Sequence, residues 1–348
     1  MRCCVECFKD THIRNTIEKQ GVIGDCDYCS HKSVAVYDIA ITPNPIADAI
    51  IGLVQIYSVS DLPEAKPLKV ALHDDWDVFS VGIAAIQTLV VDLCCSEIKS
   101  TSDVFTKNVT IAQLLDDDFL REFGVVRGLR WEQFAESIKY ENRFHSGMFN
   151  ADAFASFLSI VAKQYHAGTD FFRARITHNS NGFNVKEMSA PPKGNRSAGR
   201  INPEGIGVLY LSSDDMTVLN EARANTFDFV SIGKFKSLKD IKVVNLSGMS
   251  GTSPFLYQGE LEKYAANRKV FQEIALEIAK PLRRSDSPIE YLPTQYIAEF
   301  IKSQGYDGVE YASTLREGGY NIAIFDERLF ECVSVNTIEV TKIQYEIR

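Results

Sequence analysis

The spacing of apolar residues divides the chain into two parts. From about Asn44 to Tyr165, apolar residues recur at intervals of three and four, the period of amphipathic helices. The predicted helices are Ile46–Tyr57, Trp76–Cys94, Ile111–Phe123, Trp131–Tyr140 and Ala151–Tyr165. The most apolar segment, Val78–Val91, is too short to cross a bilayer and is interrupted by polar residues, so it predicts a buried helix. We therefore expect a helical bundle in this part.

Short β-rich runs dominate the second part. The predicted strands are Phe171–Thr177, Gly207–Ser212, Ile241–Leu246, Gly308–Ala312, Asn321–Phe325 and a tail around Val333–Tyr345. The predicted helices between them are Asp214–Arg223, Glu260–Lys280 and Thr294–Gln304. A long loop rich in Gly, Ser, Asn and Pro, Asn179–Asn202, is of the kind that carries ligand contacts. The fold class predicted for the whole chain is α+β, with several domains.

Four cysteines near the start of the chain have the spacing of a metal site. Cys4-x2-Cys7 is followed, after eighteen residues, by Cys26-x2-Cys29. Two such pairs on facing turns supply a closed shell of four thiolates, which suits a structural zinc ion with no open position for substrate. The pattern predicts a zinc knuckle.

Other ligand sets and another chemistry are compatible with this segment. Cys3 could replace Cys4, and His12 or His31 could replace a thiolate. A redox role for the pair Cys26 and Cys29 is disfavoured because no strand-then-helix pattern of a thioredoxin-like unit surrounds it.

Composition excludes several classes of protein. The chain has 348 residues, 45% of them apolar, so disorder and fibrous repeats are excluded. A net charge of -9, from 37 Lys+Arg and 46 Asp+Glu, disfavours nucleic-acid binding but leaves room for a local basic pocket that binds a small anion. No basic and then apolar leader opens the sequence, so we expect a cytoplasmic protein without a membrane segment, whose cysteines bind metal more readily than they form disulfides.

Common catalytic motifs are absent. The sequence has no G-x-x-x-x-G-K-[ST], no complete G-x-G-x-x-G, no H-E-x-x-H and no G-x-S-x-G. The sequence therefore gives no support for a kinase, a dehydrogenase, a metalloprotease or a hydrolase with a nucleophile elbow.

Polar residues of the second part are ordered so that they can meet in one cleft. Arg200 lies in a loop, Tyr210 in the following strand, Glu221 on the next helix, and Ser313 at the end of a later strand. Taken singly, such residues are more often surface charges, core aromatics or turn hydroxyls. Their order is what favours a site.

The ordered set resembles the RES-domain family, named for its arginine, glutamate and serine. The similarity covers roughly Asp170–Glu339. Its parts are Phe172-Arg173-Ala174-Arg175, Pro191-Pro192, Gly199-Arg200-x-Asn202-Pro203-x-Gly205, Leu209-Tyr210, Glu221, Pro293-Thr294-Gln295, Gly308-Val309-x-Tyr311-x-Ser313 and Asn321-x-x-x-Phe325. The first 165 residues look like the accessory region of longer family members, a cysteine-paired segment followed by a HEPN-like helical domain. The implied domains are residues 1–35, a zinc knuckle, residues 36–166, HEPN-like, and residues 167–348, the catalytic RES domain with an ADP-ribosyltransferase-like fold.

The resemblance implies an enzyme that cleaves the nicotinamide–ribose bond of NAD, as a toxin or defence effector. Glu221 would stabilise positive charge at the ribose, Arg200 would bind pyrophosphate, and Tyr210 would stack on nicotinamide. Ser313 would position the substrate or Glu221. The residues implied to bind NAD are Arg173, Arg175, Asn202 and Asn321. Because unchecked loss of NAD would kill the producing cell, we expect an antitoxin or regulatory protein as partner; a second copy of the chain is a further expected partner.

Three alternatives remain open at this stage. The same site could transfer ADP-ribose to a protein target. A HEPN-type ribonuclease would need an R-x4-6-H motif on a helix, and the one such spacing, Arg173-x4-His178, lies in a strand-like run. In the third alternative, the chain binds nucleotide without turning it over.

Overall fold

A computed structural model describes residues 1–95, 102–190, 197–257, 259–280 and 287–343. The chain forms two compact units. Unit 1 consists of Met1–Gly124 and Thr252–Asn267, and unit 2 of Val125–Gly251 and Arg268–Arg348. This division places residues 125–166, the end of the expected HEPN-like domain, in unit 2. The three-domain division remains a prediction.

The cysteine-rich start of unit 1 is built on a small three-stranded sheet. Its elements are β1 (Arg2–Cys4), α1 (Thr11–Gln20), β2 (Ile23–Gly24) and β3 (Val34–Asp38), with strand order β1-β3-β2. Helix α1 begins after Asp10, whose carboxylate accepts a hydrogen bond from the backbone N–H of Ile13 at 3.0 Å. It ends at Gly21, which has a φ of 67°. Buried Ile13 and Ile17 share one face of α1, as helical spacing requires.

The rest of unit 1 is mainly helical, with three short strands that the apolar spacing did not predict. Its further elements are α2 (Pro45–Gln55), β4 (Tyr57–Val59), β5 (Lys66–Pro67), α3 (Leu68–Trp76), α4 (Ile83–Cys94), α5 (Asp103–Thr106), β6 (Asn108–Ile111) and α6 (Asp117–Phe123). The strands form a sheet of order β4-β6-β5. The expected helix Trp76–Cys94 is interrupted because Asp77 adopts a left-handed conformation, with a φ of 51°, and α4 begins only after Gly82. In Ile111–Phe123, only the end is α-helical.

An eight-stranded mixed sheet forms the centre of unit 2. Its strands are β7 (Ala162–Tyr165), β8 (Asp170–Thr177), β9 (Leu209–Ser212), β10 (Phe229–Ser237), β11 (Ile241–Asn245), β12 (Gly308–Ala312), β13 (Tyr320–Ile324) and β14 (Phe330–Glu339). Their order is β14-β10-β8-β9-β13-β12-β11-β7, and only β11 and β12 pair in parallel among these neighbours. The helices are α7 (Trp131–Tyr140), α8 (Ala151–Val161), α9 (Asp215–Ala222), α10 (Leu246–Gly251), α11 (Leu261–Ala279), whose first residues belong to unit 1, and α12 (Leu292–Ser303). The predicted α+β class is confirmed.

Two strands of this sheet differ from the sequence expectation. The helix expected over Ala151–Tyr165 ends at Val161, and its last four residues form β7, which pairs with β11 at the sheet edge. The nine-residue strand β10 was not predicted, although it pairs with both β8 and β14. The end of the expected tail, residues 344–345, lies outside the described residues.

Two apolar layers stabilise unit 2. On the sheet, Leu209, Leu211, Phe235, Ile322 and Ile324 form one buried cluster with their neighbours. Around α7, α8 and α12, aromatic rings pack edge to face; those of Phe149 and Phe300, for example, lie 5.4 Å apart. Within the described part of the chain, no helix combines the length and the apolar character that a bilayer crossing requires.

Candidate functional site

A cavity of about 380 Å³ opens in unit 2 beside the strands that carry the candidate residues. Strands β8 and β9 pair at one position, Phe172 with Ser212, so they leave room for a cleft. Parts of β8, β9, β12 and β13, helix α9, the end of α11 and the loop before β9 line it. The volume falls within the range of about 300–1,000 Å³ that is typical of small-molecule sites.

Glu221 is held through one of its two carboxylate oxygens. Its Oε1 accepts hydrogen bonds from Ser313 Oγ at 2.7 Å and from Asn321 Nδ2 at 2.9 Å. Ser212 Oγ donates in turn to Asn321 Oδ1 at 2.6 Å, which orients the amide. Glu221 Oε2 accepts no hydrogen bond from the residues that the structure describes. The carboxylate lines the cavity with a fixed orientation and one oxygen left for a ligand.

The first turn of α9 is tied to the segment that follows β12. The Asp214 carboxylate caps the helix by accepting from the Thr217 N–H at 2.9 Å, and it also pairs with the guanidinium of Arg316. Ser313 and Arg316 belong to the same connection between β12 and β13. The contact that starts α9 therefore also brings Ser313 towards Glu221, near the end of that helix.

A network of side chains and carbonyls fixes the loop before β9. Tyr210 donates its hydroxyl to Asn202 Oδ1 at 2.7 Å, and burial raises the pKa of Tyr210 above its ordinary value. Asn202 Nδ2 lies within 3.2 Å of the carbonyl oxygens of Ser197, Pro203 and Ile206. The contacts of the Asn202 side chain thus stabilise the loop, and the residue also lines the cavity.

A second amide supports this loop from α12. Gln295 Nε2 donates to the carbonyl oxygens of Gly199 at 2.7 Å and Asn202 at 3.0 Å. Thr294 Oγ1 donates to the carbonyl oxygen of Arg200 at 2.7 Å. Thr294 and Gln295 were part of the resemblance, which implied no role for them; their positions show that they support the loop.

Arg200 lies in the cavity wall, where protein groups surround its guanidinium. Its Nη1 donates to the carbonyl oxygen of Glu277 at 3.2 Å and lies 3.6 Å from Glu277 Oε1. The guanidinium carbon is 5.3 Å from the centre of the Tyr291 ring. Only 9% of the side chain is exposed.

The two arginines of β8 have different surroundings. Arg173 lines the cavity, and its buried Nη1 has no hydrogen-bond partner among the described residues. Burial, and then the charge of Arg175, lower the pKa of Arg173 to about 10, so it stays protonated at neutral pH. Arg175 instead donates to the carbonyl oxygen of Ser189 at 2.6 Å and lies over the Phe183 ring. It is not among the lining residues.

Two residues on the strands, Ser212 and Tyr311, contribute to the site although no role was predicted for either. Asn321 stands opposite Ser212 on one neighbouring strand and opposite Tyr311 on the other, so these three residues form a row across the sheet. Both Ser212 and Tyr311 line the cavity. Tyr311 was part of the resemblance, and the alternation of residues along β12 could have assigned it to the site, because it lies two positions before Ser313 and residues so spaced share a face.

The four predicted cysteine ligands come together in unit 1. The Sγ atoms of Cys4, Cys7, Cys26 and Cys29 all lie within 4.8 Å of one another, and four of their separations are between 3.4 and 3.8 Å. Sulfurs placed about 2.3 Å from a tetrahedral zinc ion would be about 3.8 Å apart. The four thiols therefore fit a zinc ion. Burial raises the pKa of the Cys4 thiol to about 12, so the thiolate needs a cation beside it.

The alternative ligands and motifs occupy other positions. Cys3 is buried, and its Sγ lies 3.9 Å from the carbonyl oxygen of Tyr37. His31 Nδ1 is 3.3 Å from Cys29 Sγ, at the rim of the cysteine cluster. Arg173 lies in β8 and His178 directly after it, so the one R-x4-H spacing is not on a helix. Pro191 and Pro192 lie outside the described residues.

Unit 2 combines the α+β fold that the sequence resemblance predicted with a polar cleft. A profile of the RES domain matches residues 171–346, and the chain belongs to the RES-domain family. The resemblance of this part of the chain to the RES-domain family is confirmed, whereas the HEPN-like and zinc-knuckle assignments of the first part stay predictions.

Two further comparisons bear on known proteins. In the crystal structure of the M. tuberculosis MbcT–MbcA toxin–antitoxin complex, one chain is similar with a TM-score of 0.30 and 12% sequence identity, covering 53% of this chain and 91% of that chain. Among curated proteins, no sequence matches.

Proposed function

We propose that this protein is an NAD-degrading enzyme that cleaves the bond between nicotinamide and ribose. Membership of the RES-domain family supports the class, since the characterised members that the sequence resembles destroy NAD. One observation carries the proposal: Glu221 is fixed through Oε1 by Ser313 and Asn321, and its other oxygen is left for a ligand in a cavity of ligand size.

The arrangement suits a reaction in which positive charge develops on the sugar. As the C1′–N bond breaks, its electron pair leaves with nicotinamide and the ribose becomes oxocarbenium-like. The Glu221 carboxylate stabilises that charge, and Oε2 accepts a hydrogen bond from a ribose hydroxyl. The acceptor oxygen then bonds to C1′; a water molecule loses its proton to solvent in this step, whereas hydrogen phosphate bonds through an oxygen that carries no proton. Water as acceptor makes the enzyme a glycohydrolase, and inorganic phosphate makes it a phosphorylase.

Two arginines supply positive charge for the anionic part of NAD. Arg173 has a buried, unpartnered Nη1 in the cavity wall, so it is suited to donate to a phosphate oxygen. Arg200 is engaged with Glu277 in the same wall and adds its charge to the field there. The Tyr210 ring, fixed by its bond to Asn202, offers a surface on which nicotinamide stacks. Asn321 acts indirectly, because its amide holds the Glu221 carboxylate in place.

The biological setting follows from the chemistry. An enzyme that depletes NAD harms the cell that makes it, so the proposed toxin or defence effector requires a neutralising antitoxin or regulatory protein. We place it in the cytoplasm, where NAD is present. Transfer of ADP-ribose to a protein, in place of water or phosphate, would use the same residues.

The proposed cofactor of unit 1 is one structural zinc ion held by Cys4, Cys7, Cys26 and Cys29. Four thiolates fill the tetrahedral shell and leave no position for an activated water. The zinc therefore has no part in cleaving NAD.

Release of nicotinamide tests the proposed function. We expect the wild-type protein to release nicotinamide from NAD, and Glu221→Gln to slow this by about 10²–10³-fold, because it keeps the shape but loses the charge. Adding phosphate distinguishes ADP-ribose from ADP-ribose 1-phosphate as product. Glu299→Gln, on an exposed part of α12, is the matched control. The mechanism is wrong if wild type releases nothing, or if Glu221→Gln works as fast as wild type.

A further inference from the structure

Tyr311 has an available hydroxyl beside the proposed reaction centre. Strand β12 places it opposite Asn321, and Ser313 follows two residues later. Asn321 and Ser313 are the two residues that hold Glu221. Tyr311 therefore borders the part of the cavity where the Glu221 carboxylate is fixed.

The other hydroxyls of the strands in this wall are used by the protein. Tyr210 donates to Asn202, and Ser212 donates to Asn321. Among the residues that the structure describes, the Tyr311 hydroxyl has no hydrogen-bond partner. A tyrosine hydroxyl in such a place normally has a partner, because leaving it unpaired costs about 1–3 kcal/mol. Because Tyr311 lines the cavity, a ligand or a water molecule in the cavity can be that partner.

The charges around Tyr311 define what its hydroxyl can do. Burial, and then the neighbouring Tyr210 and the negative charge of Glu221, hold the pKa of Tyr311 well above its ordinary value, and Arg200 opposes this only in part. The hydroxyl therefore keeps its proton near neutral pH. It can donate a hydrogen bond to an oxygen but cannot remove a proton from the acceptor.

We propose that Tyr311 contacts the substrate directly and donates its hydroxyl to an oxygen of the ribose whose bond to nicotinamide is cleaved. This rests on the proposed function and adds a residue to it. Glu221 Oε2 accepts from the same sugar while Tyr311 donates to it, so the pair fixes the ribose from two sides. Together they orient C1′ towards the acceptor.

Tyr311→Phe tests the contact, because it keeps the ring and removes only the hydroxyl. We expect NAD binding, measured by calorimetry on the full-length protein, to weaken on the order of 3- to 10-fold. The KM for NAD should rise by a similar factor. The melting temperature should not fall, since the lost hydroxyl has no partner within the described protein; a merely structural role would lower it. Tyr140→Phe, at an exposed position, is the control.

The outcomes separate this inference from the function on which it rests. If wild type neither binds nor cleaves NAD, both are wrong. If wild type does so and Tyr311→Phe matches it in affinity and KM, only the role of Tyr311 is overturned. A fall in melting temperature with unchanged affinity also overturns it. Weaker binding at unchanged melting temperature supports it.

Discussion

Arg173 and Arg175 lie two positions apart on β8, yet their surroundings predict different functions. Replacing Arg173 by Gln removes a buried charge that faces the cavity, and should raise the KM for NAD by about 10- to 100-fold, the value of a charge-assisted hydrogen bond. Replacing Arg175 by Gln removes its bond to the Ser189 carbonyl and should lower stability while leaving KM nearly unchanged. Steady-state kinetics and thermal melting of both variants check this. Equal changes in KM would show that Arg173 has no special contact with substrate.

The sequence predicted which residues line the site better than it predicted the contacts that those residues make. Arg200, Tyr210 and Glu221 were singled out by their order, and all three line one cavity. The partners of Arg200 could not be predicted, because Glu277 and Tyr291 lie far from it in sequence and reach it only through tertiary packing. The same holds for Asn202, which the resemblance implied to bind NAD and whose amide instead contacts Tyr210 and carbonyl oxygens of the loop.

At the scale of elements, the loop before β9 depends on the absence of a side chain at Gly199, because the Tyr210 and Asn202 side chains pack closely against this residue. A Cβ at this position would lie 2.9 Å from both Tyr210 Oη and Asn202 Oδ1, the two atoms that form the loop's hydrogen bond. We therefore expect Gly199→Ala to displace that wall, lower stability by about 1–3 kcal/mol and reduce nicotinamide release. Denaturant unfolding and the release assay measure the two effects.

Gly147→Ala is the control for this prediction, because a Cβ there meets no atom within 4 Å. A Gly199→Ala variant with the stability and kinetics of wild type would mean that the Tyr210–Asn202 contact does not shape the site.

Elements with a dense apolar pattern were predicted well, whereas elements that depend on pairing were not. The bounds of α7 and β12 match the prediction. Strand β10 was missed because Gly233, Lys234 and Lys236 dilute its apolar residues, although buried and less buried positions alternate along much of it, as in a strand paired on both sides. The helical spacing of apolar residues in α8 continues through residues 162–165, so the sequence predicted helix there. These residues form β7 instead, because their pairing with β11 outweighs local helix propensity.

At the scale of the whole molecule, the net charge is unevenly distributed. Residues 1–124 contain ten Lys+Arg and nineteen Asp+Glu, which accounts for the whole net charge of -9; residues 125–348 contain 27 of each. All residues that line the cavity belong to the second range. Because charges are screened over about 8–10 Å at physiological salt, the formal charge of the chain says little about an anionic ligand at Arg173. The part of the chain that bears the proposed NAD site is neutral.

The cysteine cluster leads to a prediction for unit 1 as a whole. A zinc ion bound by the four thiolates would link both C-x-x-C pairs and so stabilise this small sheet, and we expect one zinc per chain by elemental analysis. Cys26→Ser should lose the metal and lower the melting temperature. It should leave the NAD chemistry of the folded protein intact, because no cavity residue belongs to unit 1. Cys95→Ser, an exposed cysteine outside the cluster, should retain zinc. Wild-type protein without zinc, or Cys26→Ser with a full equivalent, would contradict the assignment.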